Sequence, residues 1–267
     1  MPNLAPNLTL DLEEKLLAVV EKLADTARDI AQGLFRSQDI GLQDKDDLSP
    51  VTLADKRIEL AWRDIIEKEF PNHGIVGEEF DEKTAESNVT WVLDPIDGTR
   101  QFVMGMPLFG SLIGVLLDER PVIGCIETPI MGERWIASPG SGSRLNGKTI
   151  KTSITDRLTT ARLMSTAPAM FAGETRERFS RLSNLCKDVR FGTDCYAYGL
   201  LALGHCDLVA EADMKPMDIM ALIPVVERAG GVVSDWHGQA CTLTGNGTIL
   251  ASASPELHAQ ALAAFRL

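Results

Sequence analysis

The chain has little that would attract a polyanion, cross a membrane or cross-link itself. Its 26 Lys and Arg stand against 38 Asp and Glu, a formal net charge of -12. Such a field repels phosphates and leaves no basic footprint for nucleic acid, so any phosphate group has to be held by local cations. The longest apolar runs, such as Leu112 to Leu117, fall far short of the roughly 20 residues of a membrane span, and Met1 to Leu10 lacks a basic region followed by an apolar one. A cytoplasmic protein with no membrane partner is expected. The five cysteines, Cys125, Cys186, Cys195, Cys206 and Cys241, are an odd number without a Cys-x-x-Cys pair. Neither a zinc site nor a disulfide framework is indicated, which leaves them as small buried hydrophobes. His73, His205, His237 and His258 are scattered and belong to no signature, and none is assigned to catalysis. There is no internal repeat and no low-complexity segment.

What is present is ordinary globular usage, 45% hydrophobic and 24% charged over 267 residues, enough for one large domain or two subdomains. Leu16, Leu17, Val20, Leu23, Ala24, Ala27, Ile30, Ala31 and Leu34 recur at helical spacing ahead of a polar stretch from Ser37 to Asp47, and Ile58, Ala61, Trp62, Ile65 and Ile66 mark a second helix. Strand-like runs follow at Val89-Leu93, Ser111-Leu117, Val122-Glu127 and Arg134-Ala137, giving a first half of helices and then antiparallel strands. Beyond the Ser141-Gly142-Ser143 and Asn146-Gly147 turns the pattern alternates. Ala161-Ser165, Val189-Gly192, Asp207-Glu211 and Val232-Val233 read as strands; Glu174-Cys186, Cys195-Gly204 and Ile219-Ala229 read as helices. The expected division is an α+β part over 1–150 and an α/β part over 151–267.

The acids are placed unevenly. Trp91-Val92-Leu93-Asp94-Pro95-Ile96-Asp97-Gly98-Thr99 puts two carboxylates, a backbone carbonyl and a hydroxyl on a turn at the carboxyl end of an apolar run. That edge is where open α/β sheets place ligands, and oxygen donors of this kind suit Mg2+. Taken alone, the turn is equally a solvated surface feature. Three other sites accompany it: Ser49-Pro50-Val51-Thr52-Leu53-Ala54-Asp55, with Thr52 as helix cap and Asp55 in the first turn; Gly77-Glu78-Glu79 after Ile75-Val76; and Met217-Asp218 before an apolar stretch that ends at Gly230-Gly231.

Gly77-Glu78-Glu79, Asp94-Pro95-Ile96-Asp97-Gly98-Thr99, then Asp218 and Gly230-Gly231 resemble, in order and spacing, the inositol monophosphatase family of Mg2+-dependent, lithium-sensitive phosphatases, over roughly residues 13 to 265. Within the family the chain is most similar to the histidinol-phosphate phosphatase branch, through Asp97-Gly98-Thr99-Arg100, Gly132-Glu133-Arg134-Trp135, the run from Asp194 to Ala202, and Lys215-Pro216-Met217-Asp218. Where the inositol branch usually carries Trp-Asp, this chain has Met217-Asp218.

The resemblance implies a layered α-β-α-β-α sandwich of the inositol monophosphatase and fructose-1,6-bisphosphatase type, a homodimer, and two or three Mg2+ ions, with Mn2+ as an alternative. It implies that Glu78, Asp94 and the Ile96 carbonyl hold one ion and that Asp94, Asp97 and Asp218 hold another. A water oriented by Thr99, itself aligned by Asp55, would be the nucleophile, with no covalent intermediate. The Gly98 and Thr99 amides would point at the phosphate. Asp194, in a run typical of the histidinol branch, and Glu211, at the position where the inositol branch uses a carboxylate, would face a cationic leaving group such as L-histidinol. Local readings stand beside these roles: a cap for Thr99, a first-turn charge for Asp55, an N-cap for Asp194 and a solvated strand end for Glu211. Lys215 faces the phosphate or solvent, Glu79 tunes a third ion or faces water, and Arg134, Trp135 and Tyr198 belong to the core or the pocket wall. The rivals are a phosphatase of the same fold for inositol monophosphate, fructose bisphosphate or a 3'-phosphonucleotide, and a regulatory binding protein without turnover.

Overall fold

The computed structural model describes residues 8–45 and 50–266. The first residues of the Met1 to Leu10 segment, Ser49 and the end of the polar stretch that reaches Asp47 lie outside the described residues. In chain order the first half forms α1 (Leu10–Leu34), β1 (Gln43–Asp44), β2 (Pro50–Val51), α2 (Leu53–Glu69), β3 (Gly74–Gly77), β4 (Val89–Asp97), α3 (Thr99–Val103), β5 (Gly110–Leu117), β6 (Arg120–Thr128), β7 (Glu133–Ser138), β8 (Gly142–Leu145) and β9 (Lys148–Thr149). The second half adds β10 (Arg162–Ser165), α4 (Gly173–Leu185), β11 (Asp188–Phe191), α5 (Tyr196–Ala202), β12 (Leu208–Glu211), α6 (Pro216–Ile219), α7 (Leu222–Glu227), β13 (Val232–Ser234), β14 (Ile249–Ser252) and α8 (Pro255–Arg266).

Local chemistry sets the long helices. Thr9 caps α1 by accepting the Leu12 N–H, and Thr52 caps α2 by accepting that of Ala54. Leu16, Val20, Leu23, Ala27 and Ala31 give α1 one apolar stripe, which packs with Ile58, Trp62 and Ile66 of α2 onto the first sheet. That sheet has seven strands in the order β3-β4-β5-β6-β7-β8-β9. Both of its faces are covered, so its central strands are apolar throughout. Trp91, Leu93, Ile113 and Val115 meet α1 and α2, whereas Val92, Leu112 and Leu116 meet α5 and α7.

The second sheet has five strands in the order β11-β10-β12-β14-β13. Its Val209, Val233, Ile249 and Ala251 cover the other side of α5 and α7. Leu163, Leu208 and Leu250 point outward to Phe179 and Leu182 of α4 and to Leu257 and Ala261 of α8. Three apolar clusters therefore separate five layers, α-β-α-β-α, as expected.

Four details correct the sequence reading. The first sheet is not wholly antiparallel, because β3 runs parallel to β4. The strand expected to stop at Leu93 continues to Asp97 through an irregularity in its pairing with β5. The apolar stretch from Ile219 onward is two short helices, α6 and α7, since Pro224 has no N–H to bond the carbonyl four residues back. Cys186 and Cys241 are only half-buried, though Cys125, Cys195 and Cys206 are enclosed and all five are free thiols.

Candidate functional site

The irregularity in β4 builds the site. Asp94 lies opposite Leu112 and Asp97 opposite Gly110, so Pro95 and Ile96 together face the single residue Ser111. In a regular strand, residues three apart point to opposite faces; one extra residue restores them to the same face. Pro95 cannot donate to the ladder, and its carbonyl instead accepts the Ser111 hydroxyl at 2.6 Å. Asp94 and Asp97 thus both point into the layer between the sheets.

The neighbouring acids arrive by register and by a helix start. Parallel pairing sets Gly77 beside Leu93, which places Glu78 next to Asp94 at the carboxyl ends of β3 and β4. Gly77 admits no side chain, for a Cβ there would lie 1.9 Å from Glu59 Oε1. The buried Glu59 accepts the Glu79 N–H at 2.8 Å and shapes that turn. On α6, Asp218 Oδ2 accepts the Lys215 N–H at 2.8 Å, which fixes the side chain in the first helical turn.

Asp94, Asp97 and Asp218 each offer an oxygen within 4.8 Å of the other two. Glu78 lines the same pocket outside that group of three, and its Oε1 meets Lys45 Nζ at 2.9 Å and Lys215 Nζ at 3.6 Å. Glu79 does not face water; it pairs with Lys45 at 2.6 Å. The Ile96 carbonyl accepts the Thr99 hydroxyl at 3.0 Å.

The electrostatics of this half are unfavourable without a cation. Burial first, then the charges of Glu78, Asp97 and Asp218, push the Asp94 carboxyl far above the usual carboxylate range. Burial likewise raises Asp97, and burial with the Asp97 charge raises Asp218 to about 7. Asp94 Oδ1 is buried with no hydrogen-bond partner among the described residues. An all-oxygen cluster with an orphaned carboxylate oxygen fits a hard divalent cation.

Asp55 sits behind the cluster, fully buried. Its Oδ2 accepts the Thr52 N–H at 2.8 Å and the Thr52 hydroxyl at 2.6 Å, while Oδ1 lies 3.4 Å from Thr99 Oγ1. Asp55 is therefore both part of a capping box and a partner of Thr99. Gly98, not Thr99, precedes α3 as its cap.

The second sheet supplies the opposite wall of a cavity of about 190 Å3. Glu211, at the end of β12, is 1% exposed rather than solvated. Its Oε1 accepts the Thr166 N–H at 2.7 Å and its Oε2 the Tyr198 hydroxyl at 2.8 Å. Burial raises it to about 7. Asp194, also buried, is not the cap of α5, a position held by Cys195. Gln101 Nε2 donates to its Oδ2, and burial, then the charges of Asp97 and Glu211, raise it to about 9. The Cys195 N–H donates to Asp97 Oδ2 at 2.6 Å and so joins the two walls. Tyr198 is both core and pocket wall, whereas Trp135 is core alone and Arg134 pairs with Glu127 and Asp25. None of the four histidines lines the cavity.

Lys45, Gln101 and Thr166 escaped the sequence reading. A lysine in a polar stretch and an amide after a turn carry no local signal. Thr166 meets Glu211 through its backbone N–H and its side chain from 45 residues away, and nothing beside it in the sequence marks that destination.

Comparison with known proteins follows the same line. The inositol monophosphatase family matches residues 12–267. The bifunctional phosphatase IMPL2, chloroplastic, of Arabidopsis thaliana is 40% identical, with 97% of this chain and 78% of that protein covered. The histidinol-phosphatase of Chlorobaculum parvum is 32% identical, with 93% of each chain covered. The solved structure of an inositol monophosphatase from Zymomonas mobilis is 40% identical, with a TM-score of 0.87 over 97% of this chain and 100% of that one. Enzymes of the family are metal-dependent, generally on Mg2+. Sequence, layers and acid cluster agree: the chain belongs to the inositol monophosphatase family and is a phosphatase of that family.

Proposed function

We propose that the chain is a Mg2+-dependent histidinol-phosphate phosphatase, converting L-histidinol phosphate and water to L-histidinol and phosphate in histidine biosynthesis. One observation carries the substrate choice: two buried acids, Asp194 and Glu211, share a cavity with the acid cluster but stand on its other wall. A substrate with an ammonium and an imidazole gives both acids charge-assisted partners, which a neutral polyol does not. Met170, Met214 and Leu222 add apolar surface for a ring. The histidinol-phosphatase relative supports the same reading.

Glu78, Asp94, the Ile96 carbonyl, Asp97 and Asp218 are the groups that would hold Mg2+. Bound there, the cation would neutralise the phosphate and acidify a coordinated water. The protein's own part is orientation. Thr99 Oγ1 donates its one hydrogen to the Ile96 carbonyl at 3.0 Å; turned instead to Asp55 Oδ1, 3.4 Å away, it leaves a lone pair to accept a hydrogen bond from the attacking water. Asp55 is held in place by Thr52, which fixes that second position of the Thr99 hydroxyl. Gly98 and Thr99 bring backbone N–H groups to the same cavity, and Asp194 and Glu211 hold the leaving group.

A second reading, an inositol monophosphatase, is favoured by the likeness to the Zymomonas mobilis protein and by Glu211, whose carboxylate also suits sugar hydroxyls. Phosphate release with Mg2+ from L-histidinol phosphate, inositol monophosphate, fructose bisphosphate and a 3'-phosphonucleotide separates the readings. L-histidinol phosphate is expected to have the highest kcat/KM. Faster turnover of inositol monophosphate would replace the first reading with the second, and no turnover of any monoester would leave a regulatory binding protein.

A further inference from the structure

Gln101 belongs to no motif, yet it touches one of the two acids on the leaving-group wall. Its Nε2 donates to Asp194 Oδ2 from α3, the helix that begins directly after Asp97-Gly98. The fit around that contact is close. Gly98 has a φ of +88°, and a Cβ there would come within 3.3 Å of Asp194 Cγ. Asp194 itself has a φ of +41°, a left-handed backbone that a non-glycine residue keeps only when its surroundings require it. The Cys195 N–H on Asp97 fixes the next peptide, so the loop is pinned at the backbone and the carboxylate is pinned separately by the amide.

The chemistry of the holder matters. A lysine or arginine at 101 would neutralise Asp194 and remove its attraction for a cation, and an apolar residue would leave a buried carboxylate without this donor. A neutral amide orients the acid without pairing it to a fixed charge, so a cationic leaving group can still draw it into the ionised form.

We propose that Gln101 is a positioning residue for substrate selection, holding the Asp194 carboxylate toward the leaving group without taking part in the phosphate chemistry. The inference rests on the reading that Asp194 faces the leaving group. It is tested by a double-mutant cycle on the full chain with Mg2+, comparing Gln101→Leu, Asp194→Asn and the double variant. The substrates are the monoester that the wild type turns over best and p-nitrophenyl phosphate, whose leaving group carries no donor for Asp194.

Gln101→Leu is expected to raise KM for the preferred monoester roughly tenfold with kcat within about twofold, the loss of one well-oriented polar contact. It should leave p-nitrophenyl phosphate unchanged and add nothing in the Asp194→Asn background. Additive losses, an unchanged KM, or equal losses on both substrates would overturn the proposal. If Gln101→Leu gives no cooperative melting transition, the isosteric Gln101→Glu takes its place; it sets like charges together and should show the same selective rise in KM, and its absence would overturn the proposal too. A wild type that prefers a neutral polyol phosphate would defeat the histidinol reading, whereas the cycle would still decide whether Gln101 acts through Asp194.

Discussion

The two walls of the cavity treat their acids in opposite ways. On the wall formed by the first sheet and α6, Asp94, Asp97 and Asp218 crowd together, and Asp94 Oδ1 has no partner among the described residues. On the second, both oxygens of Glu211 accept hydrogen bonds from within the fold, and Asp194 accepts one from Gln101. Mutual repulsion makes the first group depend on something added from outside. Donors built into the fold hold the second group ready, with or without a ligand. One wall is a trap for charge and the other a fixed template.

The sharpest way to break this contrast is Asp94→Asn. Loss of one ligand charge should lower kcat/KM for phosphate release by roughly a thousandfold, a few kcal/mol of transition-state stabilisation. In a chelator, the same variant should melt at or above the wild-type temperature, because it removes a buried carboxyl that its neighbours make costly to ionise. A lower melting temperature in chelator would mean that the carboxylate is a structural element and not strained.

Acid tests both halves together. His73 in the first half and His258 in the second are each lowered to about 4, chiefly by burial. His258 lies between the Ser234 and Ser252 hydroxyls, both at 2.9 Å. The folded pKa is below the unfolded value near 6.5, so the unfolded chain takes up the proton first. The stability is fully present above about pH 6.5 and declines as the pH falls toward 4, with about 2 kcal/mol already lost at pH 5 for this histidine. Urea titrations at pH 8 and pH 5 should therefore show a smaller pH loss in His258→Asn than in the wild type. Equal losses would remove His258 from the account.

The smallest effect is expected on the template. Tyr198→Phe takes one donor from Glu211 and should raise KM for L-histidinol phosphate roughly tenfold with kcat little changed. A fall in kcat at constant KM would instead tie Glu211 to the chemical step.

Much of this was legible in the sequence because it depends on contacts near in the chain. The Asp94-Pro95-Ile96-Asp97-Gly98-Thr99 run, the Thr52 cap with Asp55, and the stripes of α1 and α2 are patterns within a few residues of one another. The parallel pairing of β3 was not legible, since four residues of strand give no sign of direction. Lys45 and Gln101 act across 33 and 93 residues, and nothing beside them marks the destination. The helix α8 went unassigned although Ser254-Pro255-Glu256 is a start signal and Leu257, Ala261, Ala264 and Phe265 make a stripe. Small alanines blunt the contrast between its faces.

The skipped pairing opposite Ser111 has one more consequence. Two acids an odd number of places apart should look in opposite directions along a strand, and here they look the same way only because the backbone count slips by one. Pairing all four residues in a regular ladder would turn Asp97 toward α1 and α2, away from Asp218, whereas deleting either Pro95 or Ile96 would remove the bulge and leave both acids on one face. The geometry of the acid cluster is thus encoded in a miscount, and at this spacing the bulge opposite Ser111 matters as much as the two charges beside it.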